Sequence, residues 1–216
     1  MSSLEVVSIN RHKPEEDIMI KAVRVLGDGK LVVAPTETRY GLLTRADRRE
    51  ALKKLYRAKA RPDSMPTAVF VGSREEIFRY GEISDIARFL TECFLPGPLT
   101  LVLRAAQKMP APLVVVDGKI GVRLSSSPVI GRLMAGVSFP LTATSANLSG
   151  RPEHDTVEEI VDDLGEAVEL YLDGGVLNFP TSTVVDCSKD RIKILRSGAI
   201  APGEIKDALM KAGFDA

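Results

Sequence analysis

Two cysteines and two histidines in 216 residues leave little room for the chemistries that depend on them. Cys93 and Cys187 lie far apart and neither belongs to a CxxC pair. Two such thiols make neither a zinc signature nor a disulfide framework, and a reducing compartment is the plain expectation. His12 and His154 are the only imidazoles, and there is no GxSxG elbow, which argues against a serine hydrolase. The common phosphate cradles are also missing: there is no GxxxxGKS/T loop and no GxGxxG after a strand. Lys plus Arg and Asp plus Glu each total 29, so the strongly basic balance of a dedicated nucleic-acid binder is absent. No apolar run approaches the roughly 18 residues that span a bilayer, and Met1 to Lys13 is polar, without a signal-peptide core. The expectation is a soluble cytoplasmic protein with no membrane partner.

What the chain does have is an ordinary globular composition, 44% hydrophobic and 27% charged, enough to bury a real core. No repeat, low-complexity tract or linker divides it, so residues 1–216 read as one domain. Apolar periodicity alternates between short β-branched runs and amphipathic stretches. Helices are expected at Ile18 to Leu26, from a cap at Asp47 through Lys59, from Ser84 to about Phe94, from a Ser127-Pro128 start to about Ala135, and at Pro202 to Ala212. Capping-box spacing at Ser73 with Glu76 and at Thr156 with Glu159 starts two more. Strands are expected at Leu31 to Ala34, Thr67 to Val71, Leu99 to Leu103, Ile120 to Leu124, Leu141 to Thr144, Val168 to Leu172, Ser182 to Asp186 and Ile192 to Leu195. Strands interleaved with helices argue for an α/β or α+β sheet protein.

Four segments place polar residues where strands end. Pro35-Thr36-Glu37-Thr38-Arg39-Tyr40-Gly41 puts hydroxyls behind a buried strand, where open α/β sheets hold ligands; it is equally a threonine-rich turn. Lys59-Ala60-Arg61-Pro62, if extended as Pro62 favours, points Lys59 and Arg61 the same way, a pairing suited to phosphates; it is equally the frayed basic end of a helix. In Thr142 to Gly150, Ser145 and Asn147 repeat the i, i+2 spacing, and a strand-ending Ser/Asn turn would do the same. Arg196, closing the last strand, could neutralise a phosphate or sit in a surface ion pair. Arg123 is more pointed, because an arginine inside an apolar strand needs an anionic partner.

Read in order, these segments resemble the YrdC family of threonylcarbamoyl-AMP synthases. The family's PTD/ETxYGL loop is matched by Pro35 to Leu42, its KxR pair by Lys59 and Arg61, and its PGPLT element by Pro96 to Thr100. Its VR strand end is matched by Val122-Arg123, TSANLSG by Thr144 to Gly150, STVVD by Ser182 to Asp186 and LRxGAI by Leu195 to Ile200. The resemblance implies a twisted, open, mixed α/β sheet flanked by helices around a basic concave cavity, and an enzyme that turns L-threonine, bicarbonate and ATP into threonylcarbamoyl-AMP and pyrophosphate for tRNA threonylcarbamoyladenosine modification. It implies Lys59, Arg61, Ser145 and Asn147 at the nucleotide and in catalysis, with Arg196 also at the nucleotide. It implies Thr36, Arg123 and Ser182 at threonine. Mg²⁺ would be held mainly by the nucleotide and not by a protein metal site. The implied partners are a tRNA threonylcarbamoyl transferase complex and, in addition, tRNA or double-stranded RNA. The chain departs from the family at Asp63-Ser64-Met65-Pro66-Thr67, where a DKPL-like continuation is usual, and at Arg39 and Leu43, where Val and Gly are common. It ends at Ala216, as expected of a short, single-domain form. The alternatives are a non-catalytic RNA-binding translation or ribosome-maturation factor and a paralogue acting on another carbamoyl-adenylate.

Overall fold

The computed structural model describes residues 4–62, 65–107, 114–189 and 191–215; the Asp63-Ser64 part of the departure from the DKPL pattern lies outside them. In chain order the elements are β1 (Glu5–Ser8), α1 (Glu16–Gly27), β2 (Val32–Pro35), β3 (Tyr40–Leu43), α2 (Arg49–Ala58), β4 (Ala68–Phe70), α3 (Arg74–Ile77), β5 (Gly81–Glu82) and α4 (Asp85–Phe94). They continue with β6 (Leu99–Ala105), β7 (Lys119–Arg123), α5 (Pro128–Gly136), β8 (Leu141–Ser145), α6 (Val157–Leu164), β9 (Leu170–Asp173), β10 (Thr183–Asp186), β11 (Lys193–Arg196) and α7 (Pro202–Lys211). The strands form one mixed sheet in the order β1-β9-β2-β3-β8-β4-β7-β6-β10-β11, with β5 added beside β6. It is open, with β1 and β11 at its edges.

Two expected caps are not used. Arg48 precedes α2 without a side-chain cap, and Asp47 instead binds Arg45 through both carboxylate oxygens; a neighbouring guanidinium outcompetes the helix amides for that carboxylate. Ser127 gives its hydroxyl to the Pro35 carbonyl at 3.2 Å instead of capping α5, tying that helix start to the end of β2. The Ser84 cap and the Thr156–Glu159 capping box form as expected. At Ser73 half the box forms: its hydroxyl accepts from the Glu76 N–H, while the Glu76 carboxylate turns to the Gly72 N–H.

Strand periodicity sorts the core into two faces. Val32 and Ala34 of β2, Leu43, Leu141 and Leu170 face Met19, Ala22 and Leu26 of α1 and Val129, Ile130 and Leu133 of α5. Val33, Leu42, Val69, Val122, Leu101 and Val185 face the opposite way, onto α2, α4, α6 and α7. The register carries the α1/α5 face onward through Ala68 and Phe70, Gly121 and Arg123, Thr100 and Val102, and Val184 and Asp186. These same residues line a hollow, so beyond α5 the sheet face is left open as its floor. Apart from Phe70, Arg123 and Asp186, its paving is small: Ala68, Gly121, Thr100, Val102 and Val184. A Cβ on Gly121 would lie 2.9 Å from the Ala68 Cβ, so strands β7 and β4 leave no space there for a larger residue.

Candidate functional site

The hollow has a volume of about 840 Å³ and takes residues from β3, β4, β6, β7, β8 and β10 and from the loops that follow α2, β2 and β8. Every one of Thr36, Lys59, Arg61, Arg123, Ser145, Asn147, Ser182 and Arg196 lines it. Segments that the sequence spreads over 160 positions therefore share one wall.

Lys59 reaches the site differently from the extended arrangement expected. It is the C-cap of α2, in helical geometry, and Ala60 follows with φ 47°. The Ala60 N–H bonds to the Arg57 carbonyl at 3.0 Å and the Arg61 N–H to Tyr56 at 2.9 Å. That is the Schellman way of ending a helix, here with alanine where glycine is usual. Pro62 constrains only Arg61 directly, so the helix end decides the geometry. A left-handed alanine costs about 1–2 kcal/mol, and the Ser149 N–H on the Lys59 carbonyl at 2.9 Å helps hold the turn.

The Lys59 side chain is only 2% exposed. Its ammonium donates to the Ser145 carbonyl, to the Asn147 carbonyl at 2.8 Å and to the Asn147 Oδ1 at 3.4 Å. Three acceptors match the three donors of an ammonium. Lys59 thus shapes the Ser145–Asn147 turn while lending it positive charge. Burial, and then repulsion from Arg61, pulls its pKa down to about 8. Arg61 donates to the Thr144 hydroxyl at 3.4 Å and to the Pro66 carbonyl at 2.5 Å, and its Nε is buried without a partner. Burial lowers its pKa as well. The Ser145 hydroxyl donates to Asn147 Oδ1 at 2.6 Å, and the Asn147 amide nitrogen donates to the Arg151 carbonyl at 2.7 Å.

Across the floor, Arg123 donates from Nη2 to the Thr38 hydroxyl at 2.7 Å and to Glu37 Oε1 at 2.9 Å, with Thr36 Oγ1 at 3.5 Å. Its anionic partner is therefore supplied by the chain. The Thr36 hydroxyl donates to the Arg39 carbonyl at 2.6 Å and accepts the Thr38 N–H at 3.0 Å, which folds the loop around Arg123. Arg39, where the family commonly has valine, ties that loop to the Asp155 carboxylate and to the Leu177 carbonyl at 2.8 Å. Met65 and Thr67, the other departures, stand on the wall, and Leu43 is buried on the α1/α5 face. Arg196 donates to the Ser182 carbonyl at 3.1 Å and hydroxyl at 2.9 Å, and Ser182 also meets Thr100 Oγ1 at 3.0 Å. Burial lowers the Arg196 pKa, opposed in part by the charge of Glu153.

Sequence reasoning assigned no role to Glu37, Thr38, Thr100 or Glu153. Thr38 and Thr100 lay inside segments already singled out, and the i, i+2 rule places Thr38 beside Thr36. Nothing local marks Glu153. Among the described residues no group of three or more His, Cys, Asp and Glu could hold a metal ion, and no helix is long and apolar enough to cross a membrane.

A protein-family model described as Telomere recombination, covering Sua5, YciO and YrdC, matches residues 24–198. The chain is 31% identical to a putative threonylcarbamoyl-AMP synthase of Methanocaldococcus jannaschii over 91% of its own length and 93% of that protein's. The Sua5 structure of P. abyssi, complexed with L-threonine, superposes with a TM-score of 0.87 at 30% identity, over 95% of this chain but only 61% of that one. E. coli YciO superposes with a TM-score of 0.83 at 26% identity, over 94% of this chain and 98% of that one. A family model that takes in most of the sequence, the same sheet in solved relatives, and seven ordered motifs meeting around one hollow have a single reading: the chain belongs to the Sua5/YciO/YrdC family.

Proposed function

We propose that this protein is an L-threonylcarbamoyladenylate synthase, and that residues 1–216 act as one YrdC-like domain. The observation that carries the reading is the meeting of Lys59, Arg61, Ser145 and Asn147 with Thr36, Arg123, Ser182 and Arg196 around one hollow of about 840 Å³. That volume suits an amino acid beside a nucleotide. Arg61 and Arg196, with Lys59 behind the Ser145–Asn147 turn, face the nucleotide phosphates. Arg123, Thr36 and Ser182 hold threonine, with Arg123 on its carboxylate. The excess of lysine and arginine over carboxylates along the described wall supports a basic cavity.

In the reaction, the threonine amine condenses with bicarbonate to a carbamate and water. A carbamate oxygen then attacks the α-phosphorus of ATP, the bond to the bridging oxygen breaks, and its electron pair leaves with pyrophosphate. Negative charge spreads over phosphate oxygens, so preorganised cations can lower the barrier without a covalent nucleophile. Mg²⁺ bound with the nucleotide would add to that stabilisation. The product is an activated acyl adenylate, to be passed in the cytoplasm to a transferase acting on tRNA, and a direct contact with tRNA or double-stranded RNA belongs to the same reading.

Mass spectrometry after incubation with ATP, threonine and bicarbonate tests this, alongside pyrophosphate release with threonine, serine or no amino acid. Threonylcarbamoyl-AMP and threonine-dependent release are expected, and Lys59→Ala or Arg61→Ala abolishes both while the protein stays folded. Pyrophosphate release indifferent to threonine would favour a paralogue acting on another carbamoyl-adenylate. Salt-sensitive RNA binding without ATP turnover would favour a non-catalytic RNA-binding factor.

A further inference from the structure

Among the described residues, Glu153 is the one wall carboxylate whose charge acts on both Lys59 and Arg196. Its Oε2 is buried and has no hydrogen-bond partner. A withdrawn carboxylate oxygen with nothing to accept from is costly and calls for a cation or a proton. Neither nearby cation satisfies it: the Lys59 ammonium is engaged with Ser145 and Asn147, and Arg196 with Ser182. The backbone segment that carries Glu153 is tied down on both sides. On one side of it the Arg151 carbonyl accepts from the Asn147 amide at 2.7 Å. On the other, the Asp155 carboxylate binds Arg39 and the Asp155 N–H donates to Glu159 at 3.0 Å.

Resting on the nucleotide-binding reading above, we propose that Glu153 is the protein's carboxylate ligand, direct or through water, for the divalent cation that accompanies the triphosphate. A carboxylate fixed where phosphates enter repels them, and a divalent cation between the two removes the repulsion. Mg²⁺ is commonly held this way, by one or two carboxylates together with substrate phosphates and waters. A cage of protein ligands is not needed, in keeping with the absence of a three-residue metal cluster among the described residues. The cation then arrives with the nucleotide, and Glu153 reports its presence to the site.

Calorimetric titration with an ATP analogue carrying a non-cleavable α,β bridge, in Mg²⁺ and in EDTA, tests the assignment. The wild-type protein binds more tightly in Mg²⁺. Glu153→Gln keeps the shape and removes the charge: it binds the analogue at least as tightly as wild type in EDTA, and its gain from Mg²⁺ shrinks about tenfold, a change of roughly 1.4 kcal/mol. Glu153→Asp keeps the charge but withdraws it by one methylene, so it retains the EDTA penalty and loses part of the Mg²⁺ gain. Water-proton relaxation with Mn²⁺ and the analogue reads the same ligand without turnover, and its enhancement changes in Glu153→Gln. An undiminished Mg²⁺ gain in Glu153→Gln overturns the proposal. So does loss of threonine binding in Glu153→Gln without nucleotide, which would make Glu153 the amine's partner. Failure of the wild-type protein to bind the analogue at all would instead sink the nucleotide-binding reading, and the proposal with it.

Discussion

Arg123 donates to Glu37 at 2.9 Å, and the two side chains are only 11% and 13% exposed. Ser125 also gives its hydroxyl to Glu37, and Glu37 is not on the cavity wall although Arg123 is. Glu37 therefore stands behind the guanidinium, which turns towards the hollow with its charge already half spoken for. Arg123 Nε is buried without a partner.

If the proposed threonine carboxylate docks on Arg123, Glu37 competes with it. Glu37→Gln still offers an acceptor but no charge, so KM for threonine should fall several-fold while the melting temperature drops. Removing Glu37 outright as alanine exposes the larger cost of a buried unpaired charge, roughly 3–5 kcal/mol. Arg123→Met should raise KM for threonine by about two orders of magnitude, the roughly 3 kcal/mol of a lost charge-assisted contact, with calorimetric affinity for nucleotide little changed. A threonine KM that ignores both Glu37→Gln and Arg123→Met would move the carboxylate elsewhere.

Lys59 predicts opposite pH trends for stability and binding. Its pKa falls from an ordinary 10.5 to about 8, chiefly through burial. Between those values the unfolded chain binds the proton and the folded one does not, so the Lys59 contribution to stability rises with pH across that window. Below about 8 both states carry the charge, and the fold bears the cost of its burial. If Lys59 serves phosphate binding as proposed, it does so as the cation. Nucleotide affinity should therefore decline as pH rises through about 8, and binding just above that pH should take up a proton. Calorimetry in two buffers of different ionisation heat measures this uptake. Lys59→Met should weaken binding and abolish the uptake; an uptake that persists in Lys59→Met belongs to another group.

Much of this site was legible because strand hydroxyls and cations are visible in a linear pattern. Thr36, Ser182 and Arg123 each lie in or beside a buried run, and the period of two puts Gly121 with Arg123 on one face. Tertiary pairing decided the rest. β1 is only half buried and has no apolar run of its own; it exists because β9 pairs with it in parallel. β3 looked like the tail of a polar loop, and its burial comes from lying between β2 and β8. The sequence requires a counter-ion for Arg123 but does not say that Glu37 is that residue. At Lys59 a local rule about proline lost to the way α2 ends, and the side chain reached the same hollow by another backbone path.

Gly198 in the closing LRSGAI segment offers a test of how that hollow is sealed. A Cβ there would lie 2.2 Å from the Thr181 carbonyl oxygen and 2.6 Å from the Ser182 carbonyl carbon. The close approach lets the Ala199 N–H reach Thr181 O at 2.7 Å and the Thr183 hydroxyl reach Ile200 O at 2.6 Å, while Arg196 lies over Ser182. Gly198→Ala must push the two backbones apart, and overpacking of this kind costs about 1–3 kcal/mol. The displaced atoms belong to Thr181 and Ser182, so the loss cannot be confined to stability: threonine and nucleotide affinity should both weaken. Gly203, in the first turn of α7, has nothing within 4 Å of a built Cβ and is the matched control. Alanine is a better helix former by up to about 1 kcal/mol, so Gly203→Ala should melt no lower than wild type and bind unchanged. Equal binding by the Gly198 and Gly203 variants would mean that Ser182 and Arg196 do not contact the ligands, and the wall beside β10 would have to be redrawn.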